Sequence, residues 1–67
     1  MTDAEFIKVA TKVLRDKGAS DINIQRGTID GESVLDVRCK KGFKEWQLAM
    51  VGDSPHEMMM TAIQSWD

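Results

Sequence analysis

Three runs in which apolar and polar residues alternate occupy the middle of the chain, Ile22 to Thr28, Glu32 to Lys40 and Phe43 to Val51. Alternation with a period of two marks a strand that buries one face. Asp30-Gly31 and Lys41-Gly42 separate the runs, and such a pair between alternating segments predicts a tight hairpin. The pattern therefore predicts a three-stranded antiparallel meander. Its inward residues are Ile22 and Ile24, then Leu35, Val37 and Cys39, then Trp46, Leu48 and Met50. Asn23, Gln25, Asp36, Arg38, Glu45, Gln47 and Ala49 point the other way, onto a face polar enough to stand in water. Arg26 interrupts the apolar side of the first run and Gly27 follows it, which predicts a bulge that re-aims Thr28 and Ile29. A two-residue turn at Lys41-Gly42 sets Lys40 opposite Phe43, Arg38 opposite Glu45, Val37 opposite Trp46 and Leu35 opposite Leu48. The turn at Asp30-Gly31 sets Ile24 opposite Val37 and Ile22 opposite Cys39.

The flanks carry a different period. Thr2-Asp3-Ala4-Glu5 has the form of a capping box, and Phe6, Val9, Ala10, Val13 and Leu14 then recur on one face of a 3.6-residue repeat. Gly18 supplies the stop, because a left-handed residue after a helix costs glycine little. Past Gly52-Asp53, the segment Ser54-Pro55-His56-Glu57 reads as a second capping box with proline at the tolerated first position. Met59, Ala62, Ile63 and Trp66 form the apolar face of this last helix, with Met58 and Met60 at its edges and Trp66 as a C-terminal anchor. Two amphipathic helices and one apolar sheet face give an α-β-β-β-α two-layer sandwich of the α+β class, with both helices on the same face of the meander.

At 67 residues the chain makes a single domain, spanning 1–67, with a thin core. One cysteine, Cys39, excludes an intramolecular disulfide, and Cys39 with the lone His56 falls short of the four ligands of a structural zinc site. No apolar run approaches a membrane span and no secretion signal is visible, so a cytoplasmic protein with no membrane association is expected. Nine basic residues against eleven acidic ones argue against a domain whose affinity comes from phosphate contacts.

Candidate chemistry is sparse. His56 lies beside Asp53 and Glu57 in what could be drawn as an acid-base cluster, but the more common reading of such a trio is a helix N-terminus with a surface histidine. Cys39, inward on the central strand, reads as a small core residue rather than a nucleophile. No phosphate-cradling loop, metal-ligand spacing or nucleophile elbow is present, so no catalytic residue, cofactor or metal is assigned. Two surface signals remain. Arg38, Lys40, Lys41 and Lys44 surround the second turn with Phe43 among them, which suits an acidic protein surface or a nucleic acid backbone, although lysines at strand edges also discourage edge pairing. Met58 and Met60 offer adaptable apolar contact at the rim of the last helix.

The order and length of the elements resemble the double-stranded RNA-binding domain family over essentially the whole chain. That family grips RNA with basic residues at the start of its second helix and with a Gly-Pro-x-His type loop between its first two strands. The corresponding segments here are Asp53-Ser54-Pro55-His56-Glu57 and Thr28-Ile29-Asp30-Gly31-Glu32, whose carboxylates repel phosphate. The resemblance thus implies the fold more than the activity. A non-enzymatic protein-binding module is expected, of the kind that inhibits or regulates a larger partner and is carried by mobile elements. A degenerate nucleic-acid-binding domain of the double-stranded RNA-binding type is the alternative. If the third strand lies at an edge, it could pair with a second copy to form a homodimer.

Overall fold

A computed structural model describes residues 1–66. The chain runs α1 (Asp3–Asp16), β1 (Ser20–Ile29), β2 (Glu32–Lys41), β3 (Lys44–Val51) and α2 (His56–Ser65). The strands form one antiparallel sheet in the order β1-β2-β3, so the expected α-β-β-β-α sandwich is what the chain adopts. Among the described residues no helix is long and apolar enough to cross a membrane.

Helix α1 begins and ends as its sequence directs. The Thr2 hydroxyl accepts from the Glu5 N–H at 3.2 Å while the Glu5 carboxylate accepts from the Thr2 N–H at 3.3 Å, completing the capping box. At the other end Gly18 adopts φ +92°, its N–H bonds the Arg15 carbonyl, and the Ala19 N–H bonds the Leu14 carbonyl, both at 2.9 Å. This is a Schellman cap, and it turns the chain directly into β1. Phe6, Ala10 and Leu14 are fully buried. Val9 departs from the expected face: it is 43% exposed, because it borders the groove between the two helices rather than the sheet.

The core lies between the helices and the sheet. Leu35, Val37 and Cys39 on the central strand meet Phe6, Ala10 and Leu14 from α1 and Met59 and Ile63 from α2, with Ile22, Ile24, Trp46, Leu48 and Met50 packed around them. Trp66 closes this layer by stacking on Trp46, ring centroids 5.3 Å apart and planes 23° off parallel.

The two hairpins differ. In the first, Asp30 (φ +51°) and Gly31 (φ +80°) are both left-handed, the type I′ geometry that matches strand twist, and Ile24 pairs with Val37 as the sequence predicts. The second turn is Gly42-Phe43, one residue later than expected. Gly42 is left-handed (φ +64°) and Phe43 is not, so this is the type II′ arrangement with glycine first. The closing pair is Lys41–Lys44, and the β2–β3 register moves by two. Lys40 faces Glu45 instead of Phe43, Arg38 faces Gln47 instead of Glu45, Val37 faces Leu48 instead of Trp46, and Leu35 faces Met50 instead of Leu48.

Three further expectations are corrected. Strand β1 pairs without interruption through Arg26 and Gly27, and its irregularity lies between Ser20 and Asn23, where Asp21 takes φ +51°; the pairing of Ile22 with Cys39 is lost there. Helix α2 has no capping box: Pro55 occupies the cap position and no side chain makes a capping hydrogen bond. The sheet face away from the helices is polar at one end only. Near the first hairpin Val34 is buried (4% exposed) between its cross-strand neighbours Gly27 and Val51, and Ile29, Ala49 and Val51 are exposed around it.

Candidate functional site

The second hairpin is the most exposed apolar feature of the molecule. Because glycine takes the first turn position, Phe43 takes the second, where its side chain has no neighbouring layer to pack on and is fully exposed (108%). The cations singled out around it are differently employed. On the open sheet face the Arg38 Nε donates to Asp36 Oδ2 at 3.2 Å, Gln47 Nε2 donates to the other oxygen of Asp36 at 3.2 Å, and Lys40 Nζ lies 3.7 Å from Glu45 Oε1. Lys41 turns to the helix side, where its stem lies beside Gly18 and its ammonium sits 6.0 Å over the Trp66 ring. Lys44 is exposed and has no carboxylate within ion-pair distance among the described residues. The tip therefore presents one aromatic ring with Lys44 beside it and Lys40 and Lys41 half committed to neighbours.

The two methionines are not part of this surface. Helix α2 starts beside Gly52 and ends at Trp66, so its first turn is at the opposite end of the sheet from Phe43. Met60 lines the groove between the helices with Met1, Val9 and Val13. Met58, 68% exposed, stands on the other flank.

A polar cluster that the sequence did not reveal ties the molecule together at the α2 start. The Arg26 guanidinium bonds Asp3 in a fork, Nε to Oδ2 at 3.1 Å and Nη2 to Oδ1 at 2.7 Å, and its Nη1 donates to Ser33 Oγ at 3.1 Å and to the Gly52 carbonyl at 3.2 Å. His56 Nε2 lies 2.6 Å from Asp3 Oδ1, and its ring stacks on Phe6 with centroids 5.0 Å apart. His56 is thus a largely buried partner of Asp3 (side chain 14% exposed), not the surface neighbour of Asp53 and Glu57. One carboxylate joins α1, β1 and α2, and one guanidinium adds β2 and the end of the sheet. The Arg26 and His56 contacts hold the Asp3 carboxyl far below the usual carboxylate range, and Asp3 in turn raises the Arg26 pKa. A legible signal existed, since Arg26 stands on the apolar side of its strand and a charge placed there needs a partner.

Chemically the cluster is saturated. Both Asp3 oxygens and all three guanidinium nitrogens are occupied, which favours a structural joint over a proton shuttle. Cys39 is buried, and burial pushes its thiol up, away from the thiolate a nucleophile needs. Among the described residues no group of three or more His, Cys, Asp or Glu is placed to hold a metal ion. The chain matches no protein-family model, and neither a curated protein nor a solved structure matches it, so the likeness to the double-stranded RNA-binding domain is one of element order alone.

Proposed function

We propose that the protein is a non-enzymatic binding module that inhibits or regulates a larger protein, using the β2–β3 hairpin tip as its contact. The observation that carries this reading is Phe43, a fully exposed aromatic on a tight two-residue turn with Lys44 beside it and Lys40 and Lys41 next along the strand. An aromatic ring held on a short, ordered turn loses little freedom on docking, and buried aromatics dominate interface energetics. The complementary surface is an apolar socket rimmed by carboxylates. Lysines outside the socket set the approach and the salt dependence more than the final affinity.

Nucleic acid is the second reading, because an aromatic among lysines can also stack on a base. The acidic residues Asp53 and Glu57 beside the start of α2 weigh against a grip of the double-stranded RNA-binding type. One experiment separates the two. The tagged protein is used to capture partners from lysate of its native host, with and without nuclease, beside Phe43→Ser and a Lys40→Glu, Lys41→Glu, Lys44→Glu triple variant. A protein captured by the wild type after nuclease and lost by both variants, with thermal stability unchanged, supports the module. Retention by both variants removes the tip from the proposal. Capture that disappears with nuclease, and direct binding to duplex RNA or DNA that weakens steeply with salt, would establish the second reading instead.

A further inference from the structure

Strand β3 is an edge with an unusually open invitation to pair. The Gly52 N–H bonds the Ser33 carbonyl at 2.9 Å, and the second hairpin closes on the pair Lys41–Lys44. In an antiparallel ladder, opposed residues alternate between pairs that exchange two hydrogen bonds and pairs that exchange none. Lys44, Trp46, Leu48 and Met50 therefore spend their backbone groups on β2, and the N–H and C=O groups of Glu45, Gln47, Ala49 and Val51 point off the free edge. Natural edges are usually blunted by proline, bulges or charge. Strand β1, at the other edge, has its bulge at Asp21, whereas β3 keeps unbroken register with β2 and carries no charge from Trp46 to Val51.

Side chains on both sides of this edge are also left unfinished. Leu35, Val37 and Cys39 on the central strand are buried, while Trp46, Leu48 and Met50 beside them on β3 are only half-buried. Helix α2 gives Glu57, Met60 and Gln64 to the groove with α1. At about 100° per residue, the flank of α2 away from α1 then carries Met58, Ala62 and Ser65, and the helix end reaches β3 through the stack of Trp66 on Trp46.

We infer that β3 is a homodimerisation edge, through which two copies pair antiparallel about a two-fold axis at Leu48 to make one continuous six-stranded sheet. A second copy fits because the edge is complementary to itself. Keeping both helix layers on one side requires residues of the same face to oppose each other, and the axis at Leu48 then sets Leu48 against Leu48, Trp46 against Met50, Gln47 against Ala49 and Glu45 against Val51. The outward-pointing residues then exchange hydrogen bonds among themselves. This centring brings Lys44 of each copy beside Gly52 and Asp53 of the other, so opposite charges meet at both ends, and it lays the Met58–Ala62 flanks of the two α2 helices toward each other. The contact shares Lys44 with the hairpin tip but leaves Phe43 outside it and does not depend on the tip's role.

Light scattering across a dilution series tests the pairing, with amide hydrogen exchange read residue by residue. The expected mass rises with concentration from 7.5 kDa to twice that value. The amides of Glu45, Gln47, Ala49 and Val51 gain protection in step, while those of Trp46, Leu48 and Met50 stay protected throughout. Ala49→Pro deletes an outward N–H that β2 does not use, so it should keep the far-ultraviolet circular dichroism and remain monomeric where the wild type is dimeric. Met58→Glu, which leaves the strand untouched, should weaken the dimer by about tenfold or more. A protein that stays monomeric at millimolar concentration overturns the inference. So does a dimer whose four outward amides exchange freely, or one that a folded Ala49→Pro variant retains.

Discussion

Replacing glycine by alanine at two positions should move stability in opposite directions. At Gly18 the backbone sits at φ +92°, and a Cβ there would meet only the Lys41 Cε at 3.6 Å, an ordinary contact. The cost of Gly18→Ala is therefore conformational rather than steric. A left-handed residue with a Cβ costs about 1–2 kcal/mol, partly offset by about 0.4–1 kcal/mol from the stiffer unfolded chain. The expected net loss is about 1 kcal/mol, or a Tm lower by about 4–8 °C for a domain of this size. At Gly27 φ is not positive and a Cβ would meet nothing within 4 Å. Glycine inside a strand sits about 0.5–1 kcal/mol below alanine, so Gly27→Ala should raise Tm by a few degrees. Thermal and urea unfolding followed by circular dichroism would read both variants. A neutral Gly18→Ala, or a Gly27→Ala that destabilises more than Gly18→Ala, would show that the Schellman turn is not what ends α1, or that β1 is strained at Gly27.

Four further outcomes are expected. Because Arg26 and then His56 depress the Asp3 pKa, the folded state gains from the charged carboxylate above the unfolded value of about 3.9. That gain is lost as pH falls below it. A plot of Tm against pH for Asp3→Asn should start lower near neutrality and fall less steeply in acid, and parallel curves for the two proteins would refute this role. Thr2→Ala removes the side-chain cap of α1 and should cost about 1 kcal/mol in urea unfolding; the Glu5 carboxylate loses the hydroxyl bond but keeps the backbone N–H of residue 2, the larger of the two contacts that lower its pKa. Lys17 Nζ donates to the Gln64 and Trp66 carbonyls at 2.9 and 2.7 Å, so Lys17→Met should cost up to about 1 kcal/mol and speed amide exchange in the last turn of α2. Cys39 should react with a thiol reagent only at the rate at which the protein opens, and Cys39→Val should cost less than about 1.5 kcal/mol.

Much of the fold is legible because its two periods are clean. The alternation of Leu35, Val37 and Cys39 assigns the core face, and Thr2 to Glu5 and Gly18 bound the first helix. The second hairpin is ambiguous in the sequence because Lys41-Gly42-Phe43 contains glycine both as the second member of one turn pair and as the first member of another. Moving a turn by one residue slides the register by two, so every side chain kept its face while every partner changed. The α2 start departs from its sequence signal for a different reason: Ser54 and Glu57 have capping-box spacing, but Pro55 takes the cap position itself. The Asp3–Arg26–His56 cluster was hidden by separation. Its members are spread over three elements, and an aspartate in a first helical turn already has a sufficient local explanation in the helix dipole. At the tip, the residue types were readable. The division of the lysines was not, since that depended on the register that the turn had shifted.

Trp46 and Trp66 face each other across the seam between β3 and the end of α2, and the chain contains no other tryptophan and no tyrosine. Nearly all of its ultraviolet emission therefore originates at a single joint. A change in that glow on warming or titration reports whether the tail is still docked on the sheet. Compared with backbone ellipticity, it separates peeling of the last helix from collapse of the whole, without any label being attached.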